Sequence, residues 1–147
     1  MKDLIQRVSC ILLAGIFVAC VKSPGDQELL EASKFATKIF TECAEEFSAA
    51  TEPKQCSEIL KRYTIRWKKE VTPLRESALN QAKLHPEMSL NERFAKKYPK
   101  EFHEFKESFL RIHNLGKQKS SMCKADPEYL KVQERAWRVF LGLEKPL

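Results

Sequence analysis

Apolar residues recur at every third or fourth position over four long stretches of the chain, which is the spacing of one face of an α-helix. The stretches cover residues 27–49, 54–71, 89–112 and 126–141. None of them alternates apolar and polar residues in the manner of a half-buried strand. The pattern therefore predicts an all-α protein. The abundance of Glu, Lys, Leu and Ala, which are strong helix formers, agrees with this prediction.

Two prolines divide the predicted helices. Thr72 and Pro73 form a restart signal, because threonine can cap a helix and proline is favoured in the first turn. Either one kinked helix or two consecutive helices are expected between residue 54 and residue 84. Pro99 lies inside the third stretch, where a kink or a break is expected because proline cannot donate a backbone hydrogen bond. These features predict four or five helices, and their short connections favour a small antiparallel bundle.

The start of the last helix is marked by Asp126 and Pro127. An aspartate side chain can accept hydrogen bonds from the first N–H groups of a helix. Proline fits the first helical position, where the backbone N–H has no intrahelical partner. The sequence therefore predicts that Asp126 caps the last helix and that Pro127 is its first residue.

The N-terminal region contains the one sustained apolar run of the chain, VSCILLAGIFVACV at residues 8–21. This run has 14 residues and follows the basic residues Lys2 and Arg7. A helix needs about 20 apolar residues to cross a bilayer, whereas a secretory signal needs roughly 7–15 in its apolar part. The run therefore predicts a cleaved secretory signal, and the alternative is a buried helix or an uncleaved anchor.

The end of this run, FVAC at residues 17–20, resembles the lipobox of bacterial lipoproteins, in which a small residue precedes an acylated cysteine. Phe17 stands where the common pattern has Leu, so the resemblance is to the relaxed, spirochaetal type. It implies cleavage before Cys20, acylation of Cys20 and attachment by lipid to a membrane of the bacterial cell envelope, outside the cytoplasm. The expected organisation is a signal peptide at 1–19, an acylated cysteine with a short tether at 20–27, and a single helical domain at 28–147.

The charge of the chain is basic, with a net value of +6. Removal of residues 1–19 takes away two basic residues and one acidic residue, which leaves +5. A basic surface attracts anionic membrane headgroups, while the alternative is that the charge only keeps the domain soluble. In the envelope the partners to expect are the membrane itself and an envelope or host protein, and nucleic acid is excluded as a physiological partner.

The five cysteines divide by position. Cys10 leaves with the signal and Cys20 is acylated, so Cys43, Cys56 and Cys123 remain for an oxidising compartment. If the first two helices form a hairpin, its centre lies near Ala49 and Ala50, and Cys43 and Cys56 are each about six or seven residues from that centre, at the same height. The sequence therefore predicts a Cys43–Cys56 disulfide with Cys123 as the candidate free thiol. The alternatives are Cys43–Cys123 and Cys56–Cys123.

An aromatic stripe is formed by Phe102, Phe105 and Phe109, which lie on one face of the third predicted helix. Such a stripe is usually part of a hydrophobic core. The second interpretation is a groove between helices that binds a lipid or another small apolar ligand. An enclosed apolar cavity of several hundred Å³ would favour this second interpretation.

Catalytic and metal-binding motifs are not found in the sequence. HEFKE at residues 103–107 begins like a zinc-protease helix, but Glu107 stands where the second histidine is needed. There is no Cys-x-x-Cys, glycine-rich phosphate loop or Gly-x-Ser-x-Gly elbow. The sequence therefore predicts neither catalysis nor a metal or cofactor. It favours a non-enzymatic binding or structural module, and the alternative function is a helical lipid or small-ligand carrier with an aromatic-lined cavity.

Overall fold

In the computed structural model the fold is described for residues 25–82 and 90–144. Seven helical segments lie in these residues, and they are α1 (Asp26–Ala49), α2 (Pro53–Glu70), α3 (Thr72–Ala82), α4 (Leu90–Lys97), α5 (Pro99–Gln118), α6 (Ser120–Cys123) and α7 (Tyr129–Phe140). The described residues contain no strand, which confirms the all-α class. Both expected proline breaks occur, and the seven segments outnumber the four or five predicted helices because each break divides a predicted helix in two and α6 adds a single turn. No helix in the described ranges is long and apolar enough to cross a membrane.

Helices α2 and α3 lie end to end along α1 and form one bent arm, the α2–α3 arm. The break falls at Val71, two residues before Pro73, which has no N–H to donate to the preceding turn. The arm runs antiparallel to α1, since Arg66 of α2 bonds to Glu42 and Gln81 of α3 bonds to Glu28. This part of the bundle has the predicted antiparallel arrangement.

Helices α4 and α5 form a second bent arm, the α4–α5 arm, which runs parallel to α1. Lys97, at the end of α4, is paired with Asp26 at the start of α1. Lys119, just after α5, donates to the carbonyl oxygen of Ala50 at 2.6 Å and so occupies the C-terminal end of α1, where a cation is favoured. The bundle is therefore not antiparallel throughout, because α3 ends and α5 begins near the same end of α1.

Helix α7 packs on α2, and the main core lies where these two helices meet α1 and α5. Phe40 of α1 is at its centre, with ring centroids 4.9 Å from Trp67 and 5.2 Å from Phe140. The other side chains of this core with at most 1% exposure come from four helical segments and are Ile39, Cys43, Ala44, Phe47, Cys56, Cys123, Tyr129 and Ala136. A smaller cluster of Leu29, Ala78, Leu79 and Phe94 joins the two arms to the start of α1.

The disulfide of the structure joins Cys56 to Cys123, with a Cα–Cα distance of 5.7 Å, and Cys43 is the free, buried cysteine. The predicted Cys43–Cys56 bridge and the assignment of Cys123 as the free thiol were therefore wrong. Helix α5 ends beside the start of α2, so Cys123 in the following turn reaches Cys56 directly.

The height of Cys43 in the hairpin explains the error. Arg66 bonds to Glu42 across the hairpin, which places Cys43 at the level of residue 65. That level is about 13 Å beyond Cys56 along α2, at 1.5 Å per residue. The real register is displaced from the assumed one because packing of the two helix faces, rather than the length of the turn, fixes how the helices align.

Asp126 acts before α7 and not as its N-cap, since the helix begins at Tyr129. Its Oδ1 accepts the N–H of Glu128 at 3.1 Å, and the Ser57 hydroxyl donates to its Oδ2. The hydrogen bond from Ser57 is the main reason why the pKa of Asp126 lies below its ordinary value, with the Glu128 N–H and Lys61 acting in the same direction. Asp126 therefore ties the loop before α7 to α2.

The stability of this junction should depend on pH. A carboxylate with a lowered folded-state pKa stabilises the fold above its unfolded pKa of about 4, and this contribution disappears as the pH falls through the folded pKa. Asp126→Asn should therefore be less stable than wild type at neutral pH, with the difference shrinking in acid. Thermal unfolding followed by circular dichroism over a pH series measures this, and Ser57→Ala should show the same trend. A difference that does not change with pH would contradict the assignment.

Candidate functional site

The candidate site is a cleft of about 370 Å³ that lies over α1 between Leu29 and Phe40. Its floor is made of the small residues Ala32, Ser33 and Ala36, which face the two arms. Small side chains on the apolar face of α1 leave the arms without a filling residue between them. The cleft is therefore a direct consequence of the residue sizes along one helix face.

The walls of the cleft are the two arms. Trp67 and Val71 line it from α2 and the turn after it, and Phe94 lines it from α4. Phe140 and Leu141 close one end, where α7 stops. The stop is made by Gly142, whose φ of 71° is in the left-handed region that favours glycine. Because α7 ends there, it packs on α1 near Phe40 and does not extend to Leu29, which is buried by the two arms instead.

The aromatic stripe predicted from the sequence lies in this cleft, since Phe102, Phe105 and Phe109 all line it. Phe105 and Phe109 also contact the core, each with its ring centroid 5.8 Å from that of Phe40. Phe102 packs instead on Phe94, with centroids 6.2 Å apart. The three rings are half-buried. Part of their surface packs in the core, as the first interpretation requires, and part of it lines the cleft, as the second requires.

Two cations, Arg75 of α3 and Lys106 of α5, are the charged residues among the described residues that line the cleft. Burial lowers the pKa of Arg75, and Glu76 acts in the opposite direction. The guanidinium of Arg75 lies against Gly142, where the Cβ of any other residue would overlap it. Gly142 therefore has two effects: it allows α7 to end, and it leaves room for the guanidinium of Arg75. An arginine stays protonated at physiological pH, so the cleft has a permanent positive charge.

The other residues singled out from the sequence lie away from the cleft. Cys20 is outside the described residues. The Cys56–Cys123 bridge and the thiol of Cys43 are fully buried in the core and do not line the cleft. Burial raises the pKa of Cys43 to about 12, so the thiol is neutral at physiological pH.

Metal-ligand geometry is not found among the described residues, since no three His, Cys, Asp or Glu side chains come together there. His103 and Glu107 are both exposed on α5. His113 instead belongs to an aromatic group, stacked on Phe109 and edge-on to Trp137.

The floor of the cleft and its two cations were missed by the sequence interpretation. Ala32 and Ala36 are four residues apart on the apolar face of α1, which is a signal that this face is unusually shallow. No comparable signal marks Arg75 or Lys106, because the chain has 26 basic residues and only the fold shows which of them face the cleft.

Comparison of this chain with known proteins finds no matching family model, no matching curated protein and no matching solved structure. The cleft and the N-terminal sequence are therefore the two features from which a function can be argued.

Proposed function

We propose that this protein is a bacterial envelope lipoprotein, anchored by an acylated Cys20, whose helical domain is a non-enzymatic module that binds an apolar ligand. The observation that carries the proposal is the cleft of about 370 Å³, lined mainly by aromatic and aliphatic side chains. Ligand sites in proteins have volumes of about 300–1,000 Å³, with mostly apolar walls and a few polar groups. The cleft has these properties.

A purely structural role is the weaker candidate, because of the floor of the cleft. Ala32 and Ala36 are buried residues that line the cleft, and larger apolar side chains there would occupy its volume. Small residues there have a clear use if the space receives a ligand. The geometry therefore favours the carrier function over the structural one.

The binding site can be tested with an uncharged fluorescent probe, N-phenyl-1-naphthylamine, which becomes brighter in apolar surroundings. Wild type should bind the probe, and Ala36→Leu should weaken binding about tenfold because the new side chain fills part of the cleft. Ala49→Leu is the matched control, since Ala49 lies on the exposed side of the same helix. No binding by wild type, or an equal effect of the two substitutions, would contradict the proposal.

The lipid anchor can be tested separately by mass spectrometry of the mature N-terminus. We expect a chain that begins at Cys20 and carries acyl groups, and Cys20→Ala should remove both the acyl mass and the membrane attachment. Two or more acyl chains give stable attachment, because each buried CH₂ contributes roughly 0.8 kcal/mol. An unmodified Cys20 in the mature protein would end the lipoprotein interpretation and leave the cleft to be judged on its own.

The position of Cys20 would keep the cleft near the membrane. Gly25, the first described residue, is five positions after Cys20, and five residues of extended chain span at most about 18 Å. Leu29, one turn into α1, lines the cleft. The ligands that a site so close to the headgroups meets most often are lipids and other amphiphiles.

A further inference from the structure

We propose that the ligand of the cleft is a free long-chain fatty acid, whose carboxylate is bound by Arg75 and Lys106 and whose chain lies over Ala32 and Ala36. This inference rests on the proposed function, because it names the ligand class of the same site. It is carried by the combination of an apolar cleft with two cations and no acidic residue among its described lining residues.

Arg75 is half-buried, as Arg66 is, whereas Lys106 is exposed at the edge of the cleft. Arg66 is bonded to both Glu42 and Glu70. The salt bridges formed within the described parts of the chain include neither Arg75 nor Lys106. Glu76 adds a favourable charge to Arg75 but forms no salt bridge with it, and an anionic ligand group would supply a direct partner for this half-buried guanidinium.

The placement of the cations suits one anionic group on a long apolar chain. Arg75 belongs to the α2–α3 arm and Lys106 to the α4–α5 arm, so the two cations line the cleft from opposite walls. The guanidinium is held against Gly142, and its planar fork matches the two oxygens of a carboxylate. The rings of Phe94, Phe102 and Phe105 line other parts of the cleft, and these uncharged apolar surfaces suit a hydrocarbon chain.

The test is tryptophan quenching by a brominated fatty acid, because Trp67 lines the cleft. The full chain is placed in nanodiscs of zwitterionic phosphatidylcholine and titrated with 9,10-dibromostearic acid or with its uncharged methyl ester. In wild type the acid should bind about tenfold more tightly than the ester, since a charge-assisted bidentate bond is worth roughly a factor of ten or more.

Charge-neutral variants separate the headgroup from the chain. Arg75→Gln should remove most of the preference for the acid and leave the affinity for the ester unchanged, and Lys106→Gln should act in the same direction more weakly. Arg111→Gln is the matched control, because Arg111 is an exposed residue of α5 outside the cleft. It should behave as wild type.

The outcomes distinguish this inference from the proposed function. Equal binding of acid and ester, unchanged by Arg75→Gln, would overturn the fatty-acid assignment and leave an apolar binding site. Failure of both probes in wild type and in Cys20→Ala would overturn the fatty-acid assignment and the proposed apolar binding site together. Binding that appears only in Cys20→Ala would show that the acyl chain of the protein itself occupies the cleft, which would also overturn the assignment of a free fatty acid.

Discussion

Replacing Cys56 and Cys123 together with alanine is expected to lower the free energy of unfolding by about 4 kcal/mol. The bridge closes a loop between residues 67 apart in sequence, and the loss of chain entropy that it imposes on the unfolded state grows with loop length. The bridge also fixes the turn after α5 to the start of α2, where both cysteines are fully buried. Urea unfolding of wild type and the double variant measures the difference.

The matched control for this prediction is Cys43→Ala, which removes a buried sulfur that forms no bridge. Its cost should be less than half that of the double variant. Reductant should lower the stability of wild type to that of the double variant and leave the double variant unchanged.

In a non-reducing peptide map, Cys43 should be alkylated only after unfolding, because the folded thiol is buried and neutral. A Cys43–Cys56 peptide in that map would show that the pairing is wrong.

Phe40→Ala is expected to cost about 3–5 kcal/mol, the range observed when a large aromatic residue is removed from a core. Phe40 has 0% exposure and contacts Trp67 and Phe140 in addition to Phe105 and Phe109 of the cleft wall. Its removal takes away the central ring around which α1, α2, α5 and α7 meet. Thermal or urea unfolding provides the measurement.

Phe35→Ala is the control for Phe40→Ala, since it makes the same change in the same helix. Phe35 is 40% exposed, so its loss should cost less than about 1 kcal/mol. Similar effects of the two substitutions would mean that α1 presents a different face to the core. Because Phe40 also lines the cleft, a loss of probe binding in Phe40→Ala must be interpreted together with the measured stability of that variant. The Ala36→Leu variant tests the cleft directly.

The helical class and the helix breaks could be predicted from the sequence because they depend on local physics. The spacing of apolar residues follows the turn of a helix, and the breaks at Pro73 and Pro99 follow from a backbone nitrogen that cannot donate. The aromatic stripe of Phe102, Phe105 and Phe109 was also recognised, since it needs only the period of one helix. All of these properties are fixed within a few residues of chain.

The relative positions of the helices could be decided only by the tertiary structure. The Cys56–Cys123 pairing depends on α5 ending beside the start of α2, and the cleft depends on how the two arms and the end of α7 meet over α1. Register and parallel packing arise from contacts between segments far apart in sequence, which no local pattern records. The sequence by itself therefore determined the helices and the candidate lipid anchor, and packing decided which cysteines meet and which two cations face the cleft.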